Sequence, residues 1–163
     1  MALALLLTVA PPQGQGATVV SIGDGDTLRV RRNGELIKVR LACIDAPELH
    51  QGPDGLAARQ RLQALAPVGS QVGLQIQATD RYGRSVAELS RGGSNVNQAL
   101  VASGAAFVYW QYIRGCDRQT YGRLETEARL RGLGVWAIGG GITRPWEWRS
   151  TQRRPQIPRS SES

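Results

Sequence analysis

Alternating hydrophobic and polar residues mark three segments in the first third of the chain. Residues 17–22, 27–32 and 35–44 alternate or carry runs of β-branched side chains, which is typical of strands. Asn33-Gly34 separates the second segment from the third, and both central residues of a type I′ turn need positive φ. The pattern therefore predicts that the domain begins as a β meander.

Helix patterns and two further strands follow. The strands are predicted at residues 72–77 and 85–90. Pro53 opens a segment with leucines at near-helical spacing, Ser94 or Asn95 can cap a short helix, and Asp117 can cap a longer one. Five strands with a helix between the third and fourth predict an α+β, mainly β fold. This fold is a five-stranded Greek-key barrel of the oligonucleotide/oligosaccharide-binding kind (OB-fold), with three helices.

The two ends of the chain differ in composition from the middle. Residues 1–16 form an apolar leader and linker that resembles the hydrophobic part of a secretory signal, although the leader lacks a basic start. It is shorter than the roughly 20 residues that a membrane span needs. We expect an exported protein, secreted or periplasmic, with its domain at residues 17–149. Residues 150–163 lack periodic apolar positions and are predicted to be a disordered basic tail.

Charge favours a polyanionic partner. The chain has 20 Lys and Arg against 13 Asp and Glu, a net charge of +7, and Lys38 is its one lysine. Such a balance is typical of proteins that bind nucleic acid or an anionic membrane surface. The alternative is that the charge only keeps the protein soluble.

The two cysteines, Cys43 and Cys116, have two interpretations. They form one disulfide if the protein is exported, because disulfides persist in oxidising compartments. Otherwise they are two small buried apolar residues. The sequence alone leaves the choice open.

Candidate chemistry is concentrated in two segments, residues 24–27 and 40–48, which together carry four carboxylates and an arginine. Carboxylates held this close repel unless a cation lies among them, and a hard ion such as Ca²⁺ takes oxygen ligands. A single EF-hand loop is excluded, because Leu28 and Arg29 stand where a ligand and a glycine are required. The site must therefore be assembled from separate strands, with Asp45 ending the strand that pairs across the hairpin.

Arginines make this cluster suitable for phosphate. Arg40 precedes Asp45 by five residues, so a regular strand would place them on opposite faces, and a bulge or strand end near Cys43 is expected. Arg84 follows a turn glycine and adds a second guanidinium fork, which can hold two phosphate oxygens. With Glu48 as a free carboxylate, these are the parts of a phosphodiester hydrolase. The single histidine, His50, excludes mechanisms that use two histidines.

Four motifs in this order resemble the thermonuclease, or staphylococcal nuclease-like, family. They are Asp24-Gly-Asp-Thr27, Arg40-Leu-x-x-Ile-Asp-x-Pro-Glu48, Asp80-x-Tyr-Gly-Arg84 and Asn97-x-x-Leu100-Val101. The match covers about residues 17–137. The resemblance implies the barrel with three helices and a Ca²⁺-dependent nuclease that acts on DNA and RNA.

The resemblance also implies a role for individual residues. Asp26 and Asp45 would be the side-chain metal ligands, and the backbone carbonyl of Ala46 would be the third ligand. The catalytic residues would be Arg40, Arg84 and the general base Glu48.

Aromatic residues would bind the substrate. Tyr82 and Tyr112 match the contacts to the nucleotide phosphates, and Trp110 stands where the family has a second tyrosine. The other residues expected at the site are Arg81 beside the substrate and Asp24, Thr27 and Asp80 in supporting positions.

A non-catalytic protein is the main alternative, because OB-fold barrels also bind nucleic acid without cutting it. The presence of all the implied acids and arginines favours the enzyme over this alternative. A module that binds anionic membrane rests only on charge and the leader, so we expect no stable membrane partner. We expect a monomer.

Overall fold

The structure is a computed structural model that describes residues 16–153. Residues 1–15 of the predicted leader and residues 154–163 of the predicted tail therefore lie outside the described residues. Among residues 16–153, no helix has the length and hydropathy of a membrane-spanning segment.

Five strands form a closed barrel, as the sequence predicted. The described strands are β1 (Gly16–Ile22), β2 (Thr27–Arg32), β3 (Glu35–Leu41), β4 (Ile44–Asp45), β5 (Gln71–Thr79), β6 (Ser85–Arg91), β7 (Ser94–Asn95) and β8 (Phe107–Val108). The hydrogen-bonded order in the barrel is β3-β2-β1-β5-β6, and a parallel pairing of β3 with β6 closes the sheet. The other three strands, β4, β7 and β8, have two residues each.

The β2–β3 hairpin has the predicted turn. Asn33 and Gly34 both have positive φ, at 50° and 82°. Register runs from Thr27 opposite Arg40 to Arg32 opposite Glu35. Leu28 and Val30 of β2 and Val39 and Leu41 of β3 are buried, each contributing roughly 1.5 to 3 kcal/mol of transfer free energy, and Ile37 is partly buried beside them.

Among the described residues, four α-helices pack around the barrel, one more than predicted. They are α1 (Pro53–Leu65), α2 (Val96–Ala102), α3 (Arg118–Leu130) and α4 (Pro145–Gln152). Asn95 and Asp117 cap α2 and α3 through their side chains, as expected for these residue types. The sequence predicts a disordered tail from residue 150, but α4 continues through residues 150–152. Pro145 starts this helix at a position where its missing N–H costs nothing.

The predicted strand at residues 35–44 is interrupted before Asp45, so the prediction that this strand continues to Asp45 is wrong. Strand β3 ends at Leu41, and Cys43 has a positive φ of 65°. Asp45 then lies in β4, which pairs with β8 and not across the hairpin. The strand end expected near Cys43 is present.

Cys43 and Cys116 form a disulfide, with their Cα atoms 6.5 Å apart. The bond joins the segment after β3 to the segment before α3, across a sequence separation of 73 residues. Closing a loop of this size removes chain entropy from the unfolded state, worth about 4 kcal/mol in the loop-closure account.

A small second core holds α4 against the domain. Phe107, Val135 and Trp136 are buried there, and Trp146 of α4 packs against them. The ring of Trp146 also stacks on Tyr109, with centroids 4.9 Å apart and planes within 3°. Offset or stacked aromatic pairs add about 0.5 to 1.5 kcal/mol beyond area burial. The end of the described chain is therefore fixed in place.

Candidate active site

One cleft of about 780 Å³ collects most of the predicted site residues. Its walls come from the turn before β2, the end of β3, β4, the turn between β5 and β6, and α4. The predicted residues that line it are Asp24, Asp26, Thr27, Arg40, Asp45, Glu48, Asp80, Arg81, Tyr82, Arg84 and Tyr112.

The two carboxylates at the base of the cleft are Asp26 and Asp45, whose exposed fractions are 5% and 1%. Asp26 accepts a hydrogen bond of 2.6 Å from the backbone N–H of Ala46. Its own N–H donates to Asp24, and Thr27 donates a 3.2 Å bond to its carboxylate. Asp26 is thus tied to the backbone beside Asp45 although the two are far apart in sequence.

Gly25 allows this close approach. A Cβ atom at residue 25 would lie 2.6 Å from the Cβ atoms of Ala46 and Ala58, nearer than packed carbons can come. The Asp-Gly-Asp turn can therefore press against the Ala46 segment and against α1 only with glycine at its centre.

Burial raises the pKa of Asp26 to about 8. Arg40 and the Ala46 N–H lower that pKa, whereas the charges of Asp24 and Asp45 raise it further. A carboxyl group in this environment needs a cation to remain ionised at neutral pH.

Arg40 lies between the two buried carboxylates. Its Nη2 is 3.3 Å from Asp26 and donates a 3.0 Å bond to Asp45. Its Nη1 donates to the carbonyl oxygens of Leu41 and Ile44, at 2.6 and 3.0 Å. These bonds wrap the guanidinium around the end of β3. Arg40 and Asp45 converge because the strand ends between them.

Arg84 is held by the turn that precedes it. Asp80 accepts from the N–H groups of Tyr82 and Arg84 with one oxygen and from Nε of Arg84, at 2.7 Å, with the other. Burial acts to raise the pKa of Asp80, but these bonds outweigh it and the pKa is lowered. A charged Asp80 therefore fixes the direction of the Arg84 side chain.

Glu48 reaches the cleft from the segment before α1. Gly55, in the first turn of α1, packs directly under the Glu48 carbonyl, where a Cβ would clash with it. Glu48 then meets a residue that the sequence analysis did not assign to the site, Arg149 of α4, whose Nη1 donates a 2.6 Å bond to Oε1 of Glu48.

Arg149 also binds Asp45. Its Nη2 donates to Oδ2 of Asp45 at 2.7 Å, and its Nη1 to Oδ1 at 3.2 Å. Burial acts to lower the pKa of Arg149, but the bonds to Asp45 and Glu48 outweigh it and the pKa is raised. A single guanidinium therefore joins the two carboxylates.

Aromatic residues on the rim differ in part from those predicted. Tyr82 and Tyr112 are exposed at the cleft, and Arg81 and Arg84 lie over the Tyr82 ring at 5.1 and 5.4 Å. Trp110 does not line the cleft, so its position gives no support to the predicted substrate contact.

Trp110 faces α3 instead. Its Nε1 donates a 2.9 Å bond to Glu125, and its ring packs near Gly122. The residue begins a short 3₁₀ turn, Trp110–Tyr112, which sends its side chain away from the cleft. The neighbouring Tyr109 lines the cleft.

Five lining residues with aromatic or polar side chains were not predicted: Tyr109, Trp146, Arg149, Ser150 and Arg153. Four of them belong to α4 or directly follow it, and the missed helix explains their omission. The available signal was Pro145 followed by a tryptophan-rich segment, which indicates a helix start that packs on the domain.

The donor set defines which ion could fit here. Within residues 16–153, no three Asp, Glu, His or Cys side chains group in a metal-binding arrangement. The candidate ligands for a metal ion are therefore the two buried carboxylates, Asp26 and Asp45, and the adjoining Ala46 backbone. The guanidinium groups of Arg40 and Arg149 already form ion pairs with Asp45. Such oxygens fit a hard divalent ion that completes its shell with water.

The barrel and this cleft define a class of protein: an OB-fold domain with a mixed carboxylate and arginine site. The sequence profile of the family described as Staphylococcal nuclease homologue matches residues 38–138. The chain belongs to this family.

Its relatives include proteins named as nucleases. Micrococcal nuclease of Shigella flexneri is 38% identical, over 94% of this chain and 92% of its own length. Protein ParB of Escherichia coli is 36% identical, over 95% of this chain and 92% of its own. An uncharacterized endonuclease of Escherichia coli O157:H7 is 36% identical, over 80% of this chain and 82% of its own length. These similarities support a nuclease function.

Proposed function

We propose that the protein is a calcium-dependent nuclease that hydrolyses phosphodiester bonds of DNA and RNA. One observation carries the proposal: two buried carboxylates with Arg40 between them face Arg84 and Glu48 across one cleft. Family membership gives independent support.

Asp26, Asp45 and the carbonyl of Ala46 would hold the ion. Carboxylate and carbonyl oxygens are the ligands that Ca²⁺ takes, and because burial raises the pKa of Asp26, a bound cation would favour its ionised form. When bound, such an ion supplies positive charge to a phosphoryl oxygen and can position water.

The arginines would bind the reacting phosphate. Attack by water on phosphorus builds negative charge on the equatorial oxygens, and guanidinium groups held in place stabilise that charge without reorganising. Arg40 is fixed by four hydrogen-bond or ion-pair contacts, and Arg84 is fixed by Asp80. Glu48 would accept the proton of the attacking water.

Kinetics of two variants test these assignments. We expect Arg84→Gln to lower kcat for DNA cleavage by about 10² to 10³, the usual cost of removing a preorganised donor. Glu48→Gln should lower kcat comparably, because the amide cannot accept the proton of the attacking water. Arg123→Gln, which changes an exposed arginine of α3, is the matched control. Wild-type kcat in either site variant would refute the role of that residue.

The same experiment separates the enzyme from the alternative. A non-catalytic barrel would retain DNA in a gel-shift assay and leave it intact. Cleavage by the wild-type protein that Arg84→Gln abolishes, with binding retained, supports the enzyme.

We also propose that the protein is exported and monomeric. The disulfide Cys43–Cys116 supports export, because such bonds are rare in reducing compartments. Cell fractionation of the natural host should place the protein outside the cytoplasm, and sedimentation should give the mass of one chain. A cytoplasmic protein with two free thiols would contradict the first expectation.

A further inference from the structure

Arg149 forms hydrogen bonds with two carboxylates that the proposed function needs, Asp45 and Glu48. It lies on α4, outside the span that the family profile matches, residues 38–138. The guanidinium bonds both oxygens of Asp45 and one oxygen of Glu48, at 3.2, 2.7 and 2.6 Å. The Asp45 side chain is 1% exposed, so its carboxylate is shielded from water, whereas the Arg149 and Glu48 side chains are each 30% exposed.

Few acceptor positions remain on Asp45. Each carboxylate oxygen has two lone pairs. Oδ1 accepts from Arg149 and from Arg40, and Oδ2 accepts from Arg149. A cation that binds Asp45 must therefore share it with two guanidinium groups, and the like charges repel over a short distance in a poorly solvated site.

Helix α4 is placed firmly enough for this competition to matter. Trp146, three residues before Arg149, stacks on Tyr109 and lies edge-on to Phe107 at 6.2 Å. Arg144, at the helix start, lies over the rings of Phe107 and Trp136, at 4.4 and 4.8 Å. The helix thus presents Arg149 to the cleft by packing, and the ion pair follows from that placement.

We propose that Arg149 is an internal cation of the active site, which competes with the divalent ion for Asp45 and sets the calcium affinity. The proposal rests on the proposed function. Glu48 is tied to the same guanidinium, so Arg149 is a positioning residue for the base as well. Loss of its charge should tighten calcium binding, whereas a residue that merely supports the fold would weaken binding when removed.

Calorimetric titration with Ca²⁺, without nucleic acid, tests this proposal. Arg149→Gln should bind Ca²⁺ about 10-fold more tightly than wild type, because one nearby positive charge is lost. Arg149→Lys keeps the charge but cannot span both carboxylates, so a smaller tightening of about 3-fold is expected. Arg123→Gln, an equal charge change on α3, should stay close to wild type.

Unchanged or weaker calcium affinity in the Arg149 variants would overturn the proposal. Circular dichroism and thermal unfolding check that each variant folds, and Arg149→Lys decides the question if Arg149→Gln does not fold. Calcium-dependent cleavage by wild type with unchanged affinity in the variants would refute the Arg149 proposal alone. Wild-type cleavage in chelator would refute the calcium requirement of the proposed function.

An independent feature lies on the outer face of the β2–β3 hairpin. Arg29 and Lys38 are directly opposite in the register and both are exposed. Like charges directly opposite destabilise a sheet, so an anionic partner would stabilise this pair. Arg31 lies two residues further along the same face, and we name Arg29, Arg31 and Lys38 the basic strip.

The basic strip is continuous with the cleft. The next cross-strand pair on the same face is Thr27 opposite Arg40, and both residues line the cleft. Alternate residues of a strand are roughly 6.6 Å apart, so the strip presents positive charge at regular steps away from Arg40. The outward positions of the hairpin carry no acid from residue 27 to 31 or from 36 to 40.

We infer that the basic strip binds the sugar-phosphate backbone of the nucleic acid beyond the bond that is cut. This inference also rests on the proposed function, and it predicts a preference for long strands over dinucleotides. Charge complementarity identifies the occupant, since the phosphate backbone supplies evenly spaced anions.

Salt dependence of binding tests the strip. Arg29→Gln with Arg31→Gln should weaken binding of a long single-stranded DNA in chelator and reduce the slope of log affinity against log salt by about 1.4, at 0.7 per lost contact. Arg123→Gln with Arg129→Gln, exposed on α3, is the matched control. An unchanged slope in the strip variant would overturn the inference. Dinucleotide cleavage by wild type reports separately on the proposed function.

Discussion

Burial and neighbouring charge strongly shift the pKa of Asp26. Its pKa in the folded protein is about 8, against an ordinary value of 3.8. The folded state therefore binds a proton between these pH values that the unfolded state releases. Stability from this group is complete below pH 3.8 and is lost as the pH rises towards 8, unless a metal is bound.

Asp26→Asn should remove that penalty. We expect the variant to be more stable than wild type at pH 8 in chelator and to gain nothing at pH 4, because only wild type must ionise a buried carboxyl group. Urea unfolding at both pH values measures this difference, and Glu127→Gln, an exposed change on α3, is the control. Equal stability of wild type and variant at both pH values would contradict the account of Asp26.

Asp80 is predicted to act through Arg84. Asp80→Ala removes three hydrogen bonds to the turn and to the Arg84 side chain, so the guanidinium loses its fixed direction. We expect kcat to fall about 10-fold to 100-fold, the scale of loss for a misplaced catalytic group. Asp80→Asn keeps an acceptor oxygen and should lose less, and full activity of Asp80→Ala would refute this positioning role.

At the scale of elements, the prediction failed where tertiary contacts decide. The alternation of residues 35–44 correctly predicted β3, but the break at Cys43 depends on a positive φ and on the pairing of β4 with β8. The spacing of Arg40 and Asp45 indicated this break, because a regular strand would place two residues five apart on opposite faces of the sheet. Helix α4 was missed because its contacts are with Phe107 and Tyr109, far away in sequence.

Packing of Trp146 should hold α4 in place. Trp146→Ala removes the stack on Tyr109 and the edge contact with Phe107, and we expect a loss of about 1 to 2 kcal/mol because the ring is half-buried. Equilibrium urea unfolding measures the loss. Leu130→Ala, at an exposed position of α3, should change stability little. A Trp146→Ala variant as stable as wild type would show that the stack does not hold the helix.

At the scale of the whole molecule, the barrel was predictable because its strands follow local patterns. The assembly of the cleft depends on close approaches, such as Gly25 against Ala46 and α1, that no local pattern encodes. The motif resemblance predicted the carboxylates and arginines of the cleft from the sequence, but it did not predict that Arg149 lies among them.

The disulfide should contribute to global stability. Cys43→Ala with Cys116→Ala opens the loop between two cysteines that are 73 residues apart in sequence. We expect the free energy of unfolding to fall by about 2 to 5 kcal/mol. Thermal unfolding of the double variant, compared with the oxidised wild-type protein, measures this loss. Two thiols that alkylate freely in the native protein would show that the bond is absent.

Cleavage of single-stranded and duplex DNA by the purified protein, with calcium or with chelator, tests the central claim most directly. The account predicts cleavage in calcium, none in chelator, and none by Asp45→Asn under either condition. Intact substrate across a range of pH and calcium concentration, or equal cleavage in chelator, would contradict it.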